Sequence, residues 1–225
     1  MKISKNTLEV LKNFSAINPN LVIKSGNVLT TIAEAKYIMA SCAVEETFDK
    51  NIGIYDLNEF LSASSLINDP TFEFGETSVL IKSDVSALTY RYADPSILTS
   101  PERSVNMPKA DVEIELSADI IAQIRRAGAA LNHPVVSITT STGSSKVYLE
   151  VKDPSNSSSN IFKYEISSDY DAEEQFDFQF LIANLKLIHG DYKVSVSSKL
   201  ISHWECINNI PVQYWIALEK TSTTN

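Results

Sequence analysis

One pattern in this chain occurs twice. Ile52-x-Ile54-x-x-Leu57-x-x-x-Leu61 in the first half returns as Phe176-x-Phe178-x-x-Leu181-x-x-x-Leu185 in the second. In each copy, apolar residues two apart give a strand, and apolar residues four apart directly after it give a helical turn. A unit present twice in 225 residues restricts the fold to two similar domains of roughly a hundred residues each.

The flanking residues fill out that unit. Ser4 is an N-cap candidate, and residues 5–14 carry helical spacing, with Leu8, Val10, Leu11 and Phe14 on one side and Lys5, Glu9 and Lys12 on the other. Strand-like runs follow at 21–23 and 28–32, with a hairpin turn predicted across residues 24–27. Further strands are predicted at 37–40 and 52–55, with Glu45, Glu46 and Asp49 in a charged loop between them. Leu57, Phe60, Leu61 and Leu66 predict a second short helix, and strands around Phe72, Val79 and 87–92 close the half. From 93 to 109 three prolines interrupt any period, which marks a linker.

The second half reads in the same order. A strand at 111–116 leads to Ser117, a second N-cap candidate, and to a helix carrying Ile120, Ile121, Ile124 and Leu131. Strands are predicted at 135–140, 146–151, 161–166 and 176–180. A helix through Leu181, Leu185 and Ile188 ending at Gly190 comes next, then strands at 192–200 and 212–218. No helix is placed to serve as a parallel crossover. The predicted class is α+β, with antiparallel sheet and two helices in each of two domains, 1–108 and 109–225.

Reactive chemistry is sparse. The six glycines are scattered, which leaves no phosphate loop, and no Gly-x-Ser-x-Gly elbow occurs. His133, His189 and His203 have no metal-ligand spacing among themselves or with Cys42 and Cys206. The two cysteines suit buried thiols in a reducing compartment. No apolar run approaches membrane-spanning length and no apolar stretch follows the N-terminal lysines, so a cytosolic protein is expected. The acids Asp169, Asp171, Glu173 and Glu174 are the one constellation a hydrolase or a divalent cation could use. No catalytic residue, metal site or cofactor is assigned.

The net charge of −9 argues against a protein that coats nucleic acid with basic surface. The cations are nonetheless placed in a pattern. Lys5 and Lys12, seven residues apart, share a stripe of the first helix, with Lys2 just before it. Arg125 and Arg126 lie opposite the apolar side of the corresponding helix in the second half, beside the small residues Ala118, Ala122 and Ala129, and Lys186 falls on the later helix.

Several fragments, in order along nearly the full length, are similar to one known family. They begin with Met1-Lys2-x-Ser4-Lys5, Lys12-Asn13-Phe14-x-x-Ile17-Asn18 and Lys24-Ser25-Gly26, then Ile54-Tyr55-Asp56-Leu57-Asn58-x-Phe60-Leu61 and Ala93-Asp94-Pro95-Ser96. They continue with Lys163-Tyr164, Asp169-Tyr170-Asp171-x-Glu173-x-x-Phe176-x-Phe178, Ala183-Asn184-x-Lys186, Gly190-x-Tyr192-Lys193 and Ala217-Leu218-Glu219. The chain thereby resembles the DNA polymerase sliding clamps of large tailed bacteriophages.

That resemblance implies a head-to-tail homotrimer closed around double-stranded DNA without sequence preference, with helices lining the hole and no catalysis of its own. It implies as partners a DNA polymerase, a clamp loader and late-transcription factors, in the cytoplasm of an infected bacterium. Three chains at −9 each sum to −27, so a bore tolerable to phosphate needs its cations gathered inward. Lys5, Lys12, Arg125, Arg126 and Lys186 are the expected DNA-facing residues. Tyr37, Met107, Pro108 and Trp215 are the expected pocket for a partner's apolar C-terminal peptide. Two other readings stand beside this one: a hydrolase built on the acids of 169–174, and a protein-only interaction or virion module.

Overall fold

The computed structural model describes residues 1–141, 143, 145–167 and 175–224. The chain divides into two compact units, Met1–Ser104 and Val105–Asn225.

The first unit runs α1 (Lys5–Ile17), β1 (Leu21–Ile23), β2 (Gly26–Ile32), β3 (Ile38–Phe48), β4 (Ile52–Ile54), α2 (Leu57–Ser65), β5 (Thr71–Phe74), β6 (Ser78–Lys82) and β7 (Ala87–Arg91). The Ser4 hydroxyl accepts the Thr7 N–H, so α1 starts where the sequence places its cap. Its inner stripe buries Val10, Leu11 and Phe14, while Lys5, Glu9 and Lys12 are exposed. Asp56 caps α2 by accepting the Glu59 N–H. Beneath α2 the Phe60 ring meets Tyr90 at 5.2 Å and Phe72 at 6.3 Å.

Two expectations fail in this unit. The connection at 24–25 makes no hairpin of β1 and β2, and Gly26 and Asn27 already belong to β2. The fully buried β1 pairs with the fully buried β4, Val22 opposite Gly53, and β2 pairs with β3. Two short strands that are apolar on both faces satisfy each other, while β2, exposed at its start, joins a half-solvated ladder. The charged loop around Glu45 and Glu46 is instead the end of an eleven-residue β3 whose alternating burial continues to Phe48.

Gly53 also fixes where the first unit holds the start of the linker. Ala93 N–H donates to the Gly53 carbonyl at 2.9 Å, and a Cβ on residue 53 would sit 2.3 Å from the Ala93 oxygen. Only glycine allows that approach. Beyond it, Asp94 accepts the Ser96 N–H of a single 3-10 turn, and Lys24 donates to the Pro101 carbonyl at 3.0 Å.

The second unit runs β8 (Val112–Leu116), α3 (Ala118–Leu131), β9 (Val135–Thr140), β10 (Val147–Lys152), β11 (Phe162–Ser167), β12 (Phe176–Leu181), β13 (Tyr192–Ser197), β14 (Ile201–Cys206), β15 (Val212–Ala217) and β16 (Thr223–Thr224). One antiparallel sheet has the order β11-β10-β9-β12-β16. In another, β13 lies between β8 and β14, and β15 follows β14. Ile121 and Ile124 of α3 reach Phe180 and Trp204 in a shared apolar space.

Here too the pattern differs from expectation at two points. The run 192–200 is a strand followed by a turn, and β14 was not foreseen. Leu200 turns the chain at φ 62° while its N–H donates to the Ser197 carbonyl. A leucine in the left-handed region carries none of the composition that announces a hairpin. The helix expected through Leu181, Leu185 and Ile188 is only a 3-10 turn, Ile182–Asn184, followed by extended chain. The position matching Asp56 is Phe180, which has no acceptor to cap a helix.

Candidate nucleic-acid interface

The two long helices carry the candidate cations. On α1, Lys5, Glu9 and Lys12 form one exposed stripe, and Lys12 also borders an apolar groove with Leu8, Leu61 and Phe72. On α3, the Ser117 hydroxyl accepts the Ile120 N–H, and Asn132 ends the helix in the left-handed conformation. Asp119, Arg126 and Ala130 share its outer stripe, and Ala129 beside them is also exposed. Small side chains leave this face low, so a broad rigid surface can approach the helix backbone closely.

The ion pairs sort the cations into two groups. Lys50–Glu76, Lys82–Glu73, Lys146–Glu165, Lys152–Asp177, Lys163–Glu150 and Lys193–Glu113 all tie a lysine of a strand or its adjoining turn to a carboxylate. Lys2 joins them through Asp69 at 2.7 Å, which removes it from the helix stripe it precedes in sequence. Among the described residues, every lysine within a strand is therefore paired with a carboxylate, whereas Lys5, Lys12 and Arg126 on the helices have no such pair, nor do Arg91 at the end of β7 and the turn lysines Lys36 and Lys199. A carboxylate remains on each stripe, Glu9 on α1 and Asp119 on α3, so the field there is weak.

Arg125 behaves differently from its neighbour Arg126. Its Nη2 donates to the backbone carbonyl of Leu185. The residue as a whole is exposed and this hydrogen bond part-buried, and burial lowers the guanidinium pKa from its usual value against the opposing pull of the Tyr192 and Tyr214 hydroxyls. An arginine stays protonated through such a shift. Lys186, half-buried, is the next residue after that carbonyl and belongs to no helix. The structure thus brings Arg125 and the Lys186 segment together and leaves Arg126 pointing elsewhere.

The carboxylate of Glu46 has become part of the support for α1. It accepts the Ser4 N–H and the Thr7 hydroxyl. Burial raises its pKa, but the hydrogen bonds from Thr7 and Ser4 outweigh that and hold it below the ordinary glutamate value.

The candidate pocket residues are distributed over both units. Tyr37, half-buried, precedes β3 in the first. In the second, Met107 and Pro108 are half-buried ahead of β8, and Trp215 lies on β15. Tyr214 and Ile216 are fully buried on one face of β15, so Trp215 points to the other. There its ring stacks on His203 of β14, centroids 5.0 Å apart, and His203 pairs with Gln213 at 3.2 Å. Trp215 is a covered surface aromatic rather than a core residue.

Among the described residues, no group of His, Cys, Asp and Glu side chains is arranged to hold a metal ion, and no helix is long and apolar enough to cross a membrane. The acids Asp169, Asp171, Glu173 and Glu174 lie outside the described residues. Sequence reading missed the role of Tyr192 and Tyr214, whose hydroxyls reach the Ile188 backbone. The one sequence signal for it was Phe180 standing where the first copy has Asp56.

Comparison with known proteins adds to this geometry. Residues 113–220 match the family model described as gp45 sliding clamp, C terminal, and residues 3–73 match DNA polymerase processivity factor. The chain is 31% identical over 223 residues to the sliding clamp of Vibrio phage KVP40, covering 97% of this chain and 99% of the relative. It is 31% identical over 228 residues to that of Enterobacteria phage T4, covering 99% of both. Among solved structures, the Proliferating Cellular Nuclear Antigen of Entamoeba histolytica superposes with a TM-score of 0.70 at 13% identity, over 97% of each chain. The Helicobacter pylori beta clamp gives a TM-score of 0.72 at 10% identity, over 98% of this chain and 66% of that one. These two share the fold.

Proposed function

The chain belongs to the sliding-clamp family of phage DNA polymerase processivity factors, and from that premise we propose that three copies close head to tail into a ring around duplex DNA and tether the replicative polymerase. Members of this family are scaffolds rather than catalysts. The observation that carries the DNA side of the reading is the sorting of cations. Sheet lysines are paired with carboxylates, and the cations of α1 and α3 are not.

Lys5, Lys12, Arg126 and Lys186 supply the phosphate contacts, and Arg125 adds charge from a guanidinium held on the Leu185 carbonyl. A few exposed cations diluted by Glu9 and Asp119 give loose, sequence-independent and salt-sensitive contact. Residence on DNA then comes from closure of the ring, and weak contact is what lets it slide.

Ring closure needs a heterologous contact, with one surface meeting a different one on the next copy. Two sheet edges suit it. β7 is one outer strand of the β5-β6-β7 sheet, and β11 is one outer strand of the five-stranded sheet, whose other edge is the two-residue β16. Edge strands offer unpaired backbone groups to another chain. The partners are the polymerase, the clamp loader and late-transcription factors, in the cytoplasm of the infected host. Trp215, on the second unit, belongs to a surface that takes a partner's apolar C-terminal peptide.

Light scattering across a concentration series tests assembly. A mass near three chains that falls on dilution is expected. A monomer at every concentration would contradict the ring.

A further inference from the structure

We propose that Arg125 is a positioning residue that pins the 185–188 segment so that Lys186 is held ready for a DNA phosphate. The proposal rests on the clamp reading above for its DNA half.

The need for a pin follows from the repeat. In the first copy, the strand β4 runs into α2, whose start is capped by Asp56, and the helix satisfies its own backbone. In the second copy the capping position is Phe180, and after the 3-10 turn the chain from Leu185 to Ile188 has no helical ladder. Leu185, Leu187 and Ile188 are nevertheless buried. Buried backbone groups need partners from somewhere.

Three side chains from outside the segment provide them. Arg125 Nη2 donates to the Leu185 carbonyl. The Ile188 N–H donates to the Tyr214 hydroxyl at 3.1 Å, and the Tyr192 hydroxyl donates to the Ile188 carbonyl at 2.7 Å. Both tyrosines are fully buried, so their ends are fixed points. The segment is therefore fastened at each end, by Arg125 at Leu185 and by the tyrosine pair at Ile188. Lys186 lies between these two attachments.

The residue type fits the task. A guanidinium is planar, weakly hydrated and permanently charged, so it can sit half-sheltered against a carbonyl and still repel no phosphate. An ammonium at the same place would be more strongly drawn to water.

Two measurements on the full-length protein separate positioning from direct contact. The first needs no DNA. Arg125→Gln should raise amide hydrogen exchange at residues 186–188 by about tenfold while α1 amides are unchanged. Unchanged exchange in that segment would overturn the proposal. The second is the salt dependence of binding to a short duplex, for Arg125→Gln, Lys186→Gln and the double variant. If Arg125 acts through Lys186, the double variant should bind about as Lys186→Gln alone does. Additive losses, with the slope of log K against log salt falling by about 0.9 for each substitution, would make Arg125 an independent phosphate contact and overturn the proposal. If the unaltered protein showed no salt-dependent binding, the clamp reading would fail and with it the DNA half. The exchange result would then decide the pinning alone.

Discussion

The carboxylate of Glu46, near the end of β3, accepts the backbone N–H of Ser4, the residue whose own hydroxyl caps α1. It also accepts the Thr7 hydroxyl, so the first turn of α1 is fastened to the sheet by one buried acid. The start of α1 is doubly capped, by its own serine and by a strand forty-two residues away in sequence.

The pH consequence follows from the direction of the shift. Glu46 has a folded pKa below its unfolded value of 4.5, so its contribution to stability is present above that value and disappears as pH falls through the folded pKa. Glu46→Ala should destabilise the first unit by about 2–4 kcal/mol at neutral pH, since two charge-assisted hydrogen bonds go and the buried Thr7 hydroxyl and half-buried Ser4 N–H lose their acceptor. Glu46→Gln should lose less and should flatten the acid limb of stability below pH 4.5. Denaturant titrations at several pH values check both. An unchanged acid limb in Glu46→Gln would contradict the assignment.

Gly53→Ala should be destabilising despite the ordinary backbone angle at this position. The new Cβ would fall 2.3 Å from the Ala93 carbonyl oxygen, and backbone must shift to admit it. A loss of about 1–3 kcal/mol is expected from such overpacking, read as a lower thermal midpoint of the first unit. Wild-type stability in Gly53→Ala would mean that the close approach carries no constraint.

Charge reversal on the helices should separate from charge removal on the sheets. Lys12→Glu and Arg126→Glu should each reduce loader-dependent processive synthesis, and the pair should reduce it more than either. Lys50→Gln, which breaks the pairing with Glu76, should leave synthesis near wild type, because a surface ion pair contributes little. Primer-extension lengths under single-hit conditions give the comparison. Equal effects on both groups would remove the argument from cation sorting.

Trp215→Ala should weaken capture of a polymerase's C-terminal apolar peptide while the assembled mass is unchanged, because Trp215 stacks on His203 away from the buried Tyr214 and Ile216. Peptide binding by fluorescence anisotropy, with light scattering on the same samples, checks it. Parallel loss of peptide binding and assembly would make Trp215 structural.

How much of this was legible in the residues depended on whether a contact was local. Ser4 and Ser117 cap the helices that follow them, and such caps act within a single turn, so the sequence pattern locates both starts. The twofold repeat was visible because strand and helix periods are properties of spacing. The β1–β4 pairing was hidden, since the turn at 24–27 suggested a nearer partner than Ile52–Ile54. Glu46 read as a loop acid because its partners are brought by the fold. The turn at Leu200 had no glycine to announce it.

The candidate site divided in the same way. Exposure of Lys5, Lys12 and Arg126 followed from helical phase alone. The inward turn of the Arg125 guanidinium did not, because it depends on a helix that fails to form sixty residues later, at Leu185. Asp56 and Phe180 occupy matching positions of the repeat, and that difference was readable. Its consequence for Arg125 required the fold.

The central claim is that the protein is held on DNA by closure around it. Its most direct test is retention of loaded protein on nicked circular DNA before and after a single restriction cut. Encirclement predicts long retention on the circle and rapid loss once an end is made, with blocking of both ends restoring retention. Equal retention on circular and cut DNA would show that the protein is held by affinity, and would contradict the ring.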